Sequence, residues 1–395
     1  MSRLSIVLPP FSPDYSGVAS ALFDLNCLSV LHDASGCTGN YTGYDEPRWY
    51  GSHAPVYCSG LREIDAIMGD DEKLIGKILA AQRSLEPDMI AVISSPVPMI
   101  VGCDVAGIAQ EIENLTGVPS FGFDTTGTTY YDVGLSMACD ALVRRFTEAV
   151  PKTDAPSVNI LGADAIDFGN LDSLRSLNAF LSSQGFAVRT QMPVGLTLPS
   201  LRTLSGAWLN LVVSRSGLST ARLLRTLYDM PYVVGLPYGK NGGALYVRQV
   251  RESLSDGMSR VVHAGTSFCM EGASRSVLVI GEQVDGNAVR NAIALDRGIR
   301  NVVVGGLFGL EQELCLPQDI SLPDEQAIFA EMNSGRYDCI IADPLLEPLL
   351  RIADVRFWPN PQYAVSSKLM LHWTPDFVGE GFNHPVRSFF RAKRR

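Results

Sequence analysis

Short apolar runs alternate with helix-length segments along almost the whole of this 395-residue chain, and that alternation constrains the fold more than any other feature. Runs such as Asp88–Ser94 (DMIAVIS), Ser157–Gly162 (SVNILG) and Ser276–Gly281 (SVLVIG) are too short for helices and apolar enough to be buried on both faces. Between them lie segments of ten or more residues with helical spacing, such as 63–85, broken near Gly69, then 104–115 and 131–150. Strand, helix and strand in repetition is the signature of parallel sheets covered by helices. The stretch 3–8 reads as a first strand before a proline-rich turn, 17–27 as a helix, and 28–31 as a strand ending at the Gly36-Cys37 loop. Pro151–Pro156 (PKTDAP) is the clearest linker, and a third strand-helix series opens at Ser276. The expectation is an α/β protein of three Rossmann-like units with mainly parallel sheets, over 1–152, 153–262 and 263–395. The last unit ends in a covering arm from 359 onward.

Composition narrows the function. Lysine and arginine total 32 against 42 acidic residues, a formal charge of −10, which argues against a general nucleic-acid surface. The basic run Arg391–Arg395 is a terminal tail. Pro9, Pro10 and Pro13 interrupt the early apolar run, and no uncharged stretch reaches membrane-spanning length. A cytoplasmic protein acting without a membrane is expected. Its eight scattered cysteines are then free thiols, most of them ordinary core residues.

Two of those cysteines stand in small-residue stretches where strands give way to loops. They are Cys37, in His32-Asp-Ala-Ser-Gly-Cys37, and Cys58, in Pro55-Val-Tyr-Cys58. A chain this long has no need of disulfides, so paired loop thiols point to metal. No neighbouring Cys-x2-Cys or His-x3-His pair builds a closed zinc site. Two thiolates are half of a [4Fe-4S] ligand set, and the rest must come from elsewhere in the chain or from another subunit. His32 and His53, just before the two cysteines, could move protons there or serve as plain loop residues.

Other motifs mostly exclude. Gly281-Glu-Gln-Val-Asp-Gly286 follows a strand and opens a helix but lacks the dinucleotide-binding glycine spacing. No Gly-x4-Gly-Lys-Ser/Thr loop exists, so the chain should neither bind nor hydrolyse a nucleotide directly. No Gly-x-Ser-x-Gly elbow supports a serine hydrolase. The Gly235–Gly243 loop places Lys240 beside two glycines and could cradle an anionic group or be a plain turn. Cys269 lies in the small-residue segment AGTSFCMEG between two units, a candidate for redox or ligand chemistry.

Taken in order along the chain, these segments resemble the large-component family of nitrogenase and its relatives, the light-independent protochlorophyllide and chlorophyllide reductases and the reductase of coenzyme F430 biosynthesis. His32–Cys37 resembles the family's first cluster motif, and Pro55–Cys58, followed by Glu63–Gly69, its second. Pro87–Ser95 resembles the strand before the third cluster cysteine, Ile100–Asp104 the segment beyond it, and Leu209–Ser214 the strand ending at the active-site cofactor ligand.

The resemblance implies a nitrogenase component 1-like fold and an electron-accepting subunit. It also implies a [4Fe-4S] cluster shared across an interface by Cys37 and Cys58 of each of two chains, as a homodimer or within a heterodimer or heterotetramer. Electrons would come from a separate ATP-hydrolysing [4Fe-4S] reductase protein, and a small-molecule substrate would occupy a cleft lined by Ser214, Lys240 and Cys269. Two departures bear on this. Pro96 stands where the third cluster cysteine is expected, leaving Cys103 as a reserve ligand. Ser214 stands where nitrogenase holds its metal cofactor with cysteine, and neither His372 nor His384 matches the cofactor histidine, which speaks against dinitrogen reduction. A scaffold for metallocofactor assembly and a cluster-free binding subunit are the other readings of the same residues.

Overall fold

A computed structural model describes residues 5–265, 275–373 and 375–382. Three sheets form, and every strand pairing within them is parallel. The first contains β1 (Cys27–Leu31), β2 (Val56–Cys58), β3 (Met89–Ile93) and β4 (Ser120–Phe123) in the order β2-β1-β3-β4. The second orders β5 (Ser157–Ala163), β6 (Ala187–Pro193), β7 (Leu209–Val212), β8 (Tyr232–Val234) and β9 (Arg260–Val261) as β6-β5-β7-β8-β9. The third orders β10 (Ser276–Gly281), β11 (Asn301–Gly306), β12 (Ile320–Ser321), β13 (Cys339–Ala342) and β14 (Arg356–Pro359) as β12-β11-β10-β13-β14. The third has the Rossmann order. The first two have the related order in which the chain reverses beside the opening strand.

Each sheet therefore has one point where the direction of winding changes: between β1 and β3, between β5 and β7, and between β10 and β13. Crossovers leave in opposite directions there, so a crevice opens at the strands' C-terminal ends. Division of the chain at 152/153 and 262/263 stands as a proposal, supported by the strand membership of the three sheets.

The helices that matter for the site are α1 (Asp14–Ala21), α2 (Gly36–Asn40), α3 (Glu63–Met68), α4 (Asp71–Leu85), α5 (Pro96–Val101), α6 (Val105–Thr116), α7 (Tyr131–Phe146) and α8 (Ala165–Phe168). Alternate residues of the first sheet serve two cores. Cys27, Leu31, Met89, Ala91 and Ile93 join a large cluster running through all three sheets. Leu28, Val30, Ile90 and Val92 pack instead against Leu74, Ile78 and Ile108 of α4 and α6. Helices α1 and α7 pack on each other, and Gly17 and Gly134 permit the approach. A Cβ on Gly17 would lie 1.9 Å from the Tyr131 carbonyl oxygen, and one on Gly134 would lie 1.8 Å from that of Asp14.

Several expectations of local structure are corrected. Residues 5–8 form no strand; the backbone N–H groups of Ile6, Val7 and Leu8 instead bond the Glu325 carboxylate. The segment after Ser95 forms α5, with Pro96 in its first turn, where a missing N–H costs nothing. Lys240 is not inside a loop. It is the first residue of a long helix, Lys240–Asp256, despite Gly242 and Gly243, which face Ala292 and Phe180.

Candidate functional site

The two cysteines singled out by sequence lie beyond the C-terminal end of β1 and at that of β2 in the first sheet, each beside Asp33. After β1 the chain passes through His32 to Asp33, whose Oδ2 accepts hydrogen bonds from the backbone N–H groups of Ser35 and Thr38, each at 3.0 Å, and from the Thr38 hydroxyl at 3.2 Å. That carboxylate fixes the turn into α2 and so places Cys37. Cys58 ends β2 in register with Leu31 of β1. Its thiol donates to the Asp33 carbonyl oxygen at 3.2 Å, and the Gly60 N–H donates to Cys58 Sγ at 3.3 Å. Gly60 has φ +64°, a conformation that favours glycine and aims its N–H at the sulfur. Cys37 is half-buried beside Asp33, Tyr15 and Ser95; burial first, then the Asp33 charge, pushes its thiol above the ordinary range. Both sulfurs are thus held around one residue, Asp33.

Pro96 borders the same crevice. Its ring fills the space over Gly127, where a Cβ would come 2.6 Å from Pro96 Cγ, and Tyr15 lies beside it. It offers no ligand atom. Cys103 packs against the smaller core on the other face of the sheet, where it lines a separate cavity of about 210 Å³ with His32, Asp71 and Lys77. Burial pushes the Cys103 thiol up to about 11. Among the described residues no group of three or more His, Cys, Asp or Glu could hold a metal ion. His32 is buried with its Nδ1 2.9 Å from the Ser59 hydroxyl, and burial lowers its pKa; His53 is exposed. Around Cys58 and Pro96 the surface is apolar: Tyr57, Ile64, Ile67, Met68, Val97 and Ile100 are all at least 43% exposed.

The crevices of the second and third sheets share a cavity of about 40 Å³, lined by Asp167, Ser214, Tyr238, Glu282, Asp285, Asn360 and Gln362 with apolar walls from Phe168, Val213, Leu236 and Phe377. Ser214 follows β7 and is 1% exposed; its hydroxyl lies 2.8 Å from the Gly162 carbonyl oxygen and 2.7 Å from the Ser216 hydroxyl. Lys240 does not join it. Its side chain is exposed and does not line the cavity, while its N–H bonds Asp296 at 2.8 Å. Cys269 and His384 lie outside the described residues, and His372 is exposed.

Sequence reading missed the acids that dominate this cavity. Asp164 follows β5 and caps α8 by accepting the Asp167 N–H at 2.7 Å, and its other oxygen lies 2.9 Å from the Ser216 hydroxyl. Glu282 follows β10; it accepts from the Arg215 N–H at 2.9 Å and the Asp285 N–H at 2.8 Å. Tyr238 and Asn360 donate to Asp285 at 2.9 Å and 3.2 Å. The Arg215 guanidinium turns away to Asp132 and the Phe308 carbonyl oxygen. Burial raises all these carboxyl groups: Glu282 is pushed up to about 7, Asp132 to about 6, and Asp164, Asp167 and Asp285 also lie above the ordinary range. One signal was available in the sequence. Asp164 and Glu282 each stand directly after an apolar strand run, the position that opens onto a parallel-sheet crevice.

Residues 15–267 match the family model described as nitrogenase component 1 type oxidoreductase. That is well over half of the chain, which belongs to this family. Relatives include a subunit of the light-independent protochlorophyllide reductase from Zygnema circumcarinatum, 25% identical over 290 residues, covering 64% of this chain and 55% of the relative. The corresponding protein of a Picosynechococcus strain is 24% identical over 322 residues, covering 72% and 61%. The chain thus spans little more than half the length of these relatives. Two solved structures share the fold. "Nitrogenase Cp1 at pH 6.5" has a TM-score of 0.72 at 13% identity, covering 98% of this chain and 93% of that one. "Nitrogenase Cp1 at pH 5" has a TM-score of 0.67 at 14% identity, covering 100% and 92%. No helix among the described residues is long and apolar enough to cross a membrane.

Proposed function

We infer that this chain is the electron-accepting component of a nitrogenase-like reductase acting on a small molecule other than dinitrogen. The observation that carries the reading is the convergence of Cys37 and Cys58 on Asp33 at the crevice of the first sheet. Two half-buried thiols open to one side fit two of the four thiolates of a [4Fe-4S] cluster, and a second subunit would supply the others. The Gly60 N–H directed at Cys58 Sγ suits a thiolate, since hydrogen bonds to sulfur stabilise its charge and tune cluster potential. Bound there, the cluster would store and pass single electrons. The exposed apolar side chains of α3 and α5 beside it suit packing against a similar subunit, which would keep water from the cluster. Electrons would come from an ATP-hydrolysing [4Fe-4S] protein, as the family resemblance implies. Substrate would enter the Ser214 cavity; Lys240 keeps at most a peripheral role, and Cys269 stays a candidate from sequence.

Pro96 favours a second reading, a cluster-free subunit supporting another chain, because the position expected to hold a third cysteine offers no ligand. Anaerobic purification with iron and sulfide analysis, and electron paramagnetic resonance after mixing with the reductase protein and ATP, separates the two. Bound iron reduced only when ATP is present supports the first reading. Absence of iron after reconstitution in the presence of candidate partner subunits supports the second.

A further inference from the structure

Asp164 is fully buried, and its Oδ1 accepts the Asp167 N–H, which holds the two acids together. Two carboxylates held so near each other repel unless they share a proton. Two features of the surrounding geometry ask for one. Asp167 Oδ2 is shielded from solvent and has no hydrogen-bond donor, whereas its Oδ1 accepts from the Tyr131 hydroxyl. A buried acceptor left bare is costly, because it gives up its bonds to water and gains none in return. Separately, the row Gly162 carbonyl, Ser214, Ser216 and Asp164 contains three contacts of 2.8, 2.7 and 2.9 Å but only two hydroxyl protons. A proton on Asp164 completes that row, with Asp164 donating to Ser216, Ser216 to Ser214, and Ser214 to Gly162. A proton on Asp167, donated to Asp164, satisfies the bare oxygen.

We propose that the Asp164–Asp167 pair holds at least one proton at neutral pH and is the internal proton donor to whatever occupies the Ser214 cavity. The pair and the row each reach that space, because Asp167 and Ser214 line it. The charged and titratable groups facing the pair favour a retained proton. Glu282 from the start of the following sheet's first helix adds like charge, Asp285 stands across the cavity, and Asp132 presses on Tyr131 from α7. The nearest guanidinium, Arg215, is committed to Asp132 and Phe308. Desolvation raises both members of the pair, and the Asp164 charge adds to it at Asp167. No lysine, arginine or histidine among the described residues lines the cavity, so a neutral or cationic substrate is admitted more readily than an anion.

This inference rests on the reductase reading for its chemistry. Saturating a double bond takes two electrons, delivered singly from the iron-sulfur donor, and two protons. As each proton is given up, the Asp167 O–H bond breaks and a substrate X–H bond forms. The pair then takes a replacement proton from solvent before the next transfer.

Infrared difference spectroscopy on the purified protein tests the proton without partner or substrate. Wild type minus D167N is expected to show a carboxylic-acid C=O band at neutral pH that shifts in D2O. D164N is expected to move the midpoint at which Asp167 loses that band to lower pH, because the like charge is gone. Y131F is expected to move it higher, because a donor to the carboxylate is gone. Thermal melts confirm that each variant is folded, and D164N and Y131F serve if D167N is not. Carboxylate bands alone at neutral pH in the difference spectra, or midpoints unmoved in D164N and Y131F, overturn the proposal. With the reductase protein and a reducible substrate, D167N is expected to slow substrate reduction ~100-fold; undiminished turnover in that variant overturns the donor role. Failure of ATP-driven electron delivery to wild type would instead sink the functional reading while leaving the spectroscopic result standing.

Discussion

Tyr238 donates its phenolic proton to Asp285 across 2.9 Å, joining the strand-end loop of the second sheet to the first helical turn of the third. Both residues line the cavity that contains Ser214. Burial and the neighbouring Asp285 raise the Tyr238 pKa, so the hydroxyl stays a donor. Y238F removes that bond and leaves the buried Asp285 with Asn360 and no phenol. The expected cost is about 1–3 kcal/mol, read as a lower urea midpoint with little change in slope.

Glu282 gives the fold a defined pH dependence. Burial lifts its carboxyl from the ordinary 4.5 to about 7, so the folded protein binds this proton more tightly than the unfolded chain does. Its contribution to stability is fully present below about 4.5 and is lost as the pH rises through about 7. A shift of that size corresponds to about 3 kcal/mol over the whole range. E282Q is expected to flatten this part of the profile and to gain on wild type at alkaline pH. Urea midpoints across the range check it; a steeper fall in the variant would contradict the assignment.

Ligand choice separates the two faces of the first sheet. C37S and C58S are each expected to lose at least half of the iron and sulfide retained after anaerobic purification. C103S is expected to retain wild-type amounts, since Cys103 belongs to the core on the other face. Iron loss confined to C103S would move the metal site to the cavity beside His32.

P96C restores a thiol at the position where the resemblance expects one. Pro96 occupies the first turn of α5 and packs over Gly127, so the smaller cysteine fits without backbone change and alters stability by about 1 kcal/mol. More iron per chain, or slower bleaching in air than wild type, is the expected outcome. Unchanged iron and unchanged bleaching would show that position 96 does not face the cluster.

The sequence alone determined the class of fold, because buried parallel strands such as Ser157–Ala163 and Ser276–Gly281 must be largely apolar and their helices must carry the longer period. It also marked Cys37 and Cys58, since thiols amid small residues at strand ends are readable as a local pattern. It did not separate Cys103 from them, because which face of a sheet a distant helix covers is settled by packing rather than by spacing. Nor did it read the helix Lys240–Asp256, whose first turn carries the glycines that look like a loop. The carboxyl cavity was least legible of all. Asp164 and Asp167 lie more than a hundred residues from Glu282 and Asp285, and each is an ordinary polar residue in its own segment. Only the docking of the second and third sheets brings them to one cavity, where burial raises the pKa of each.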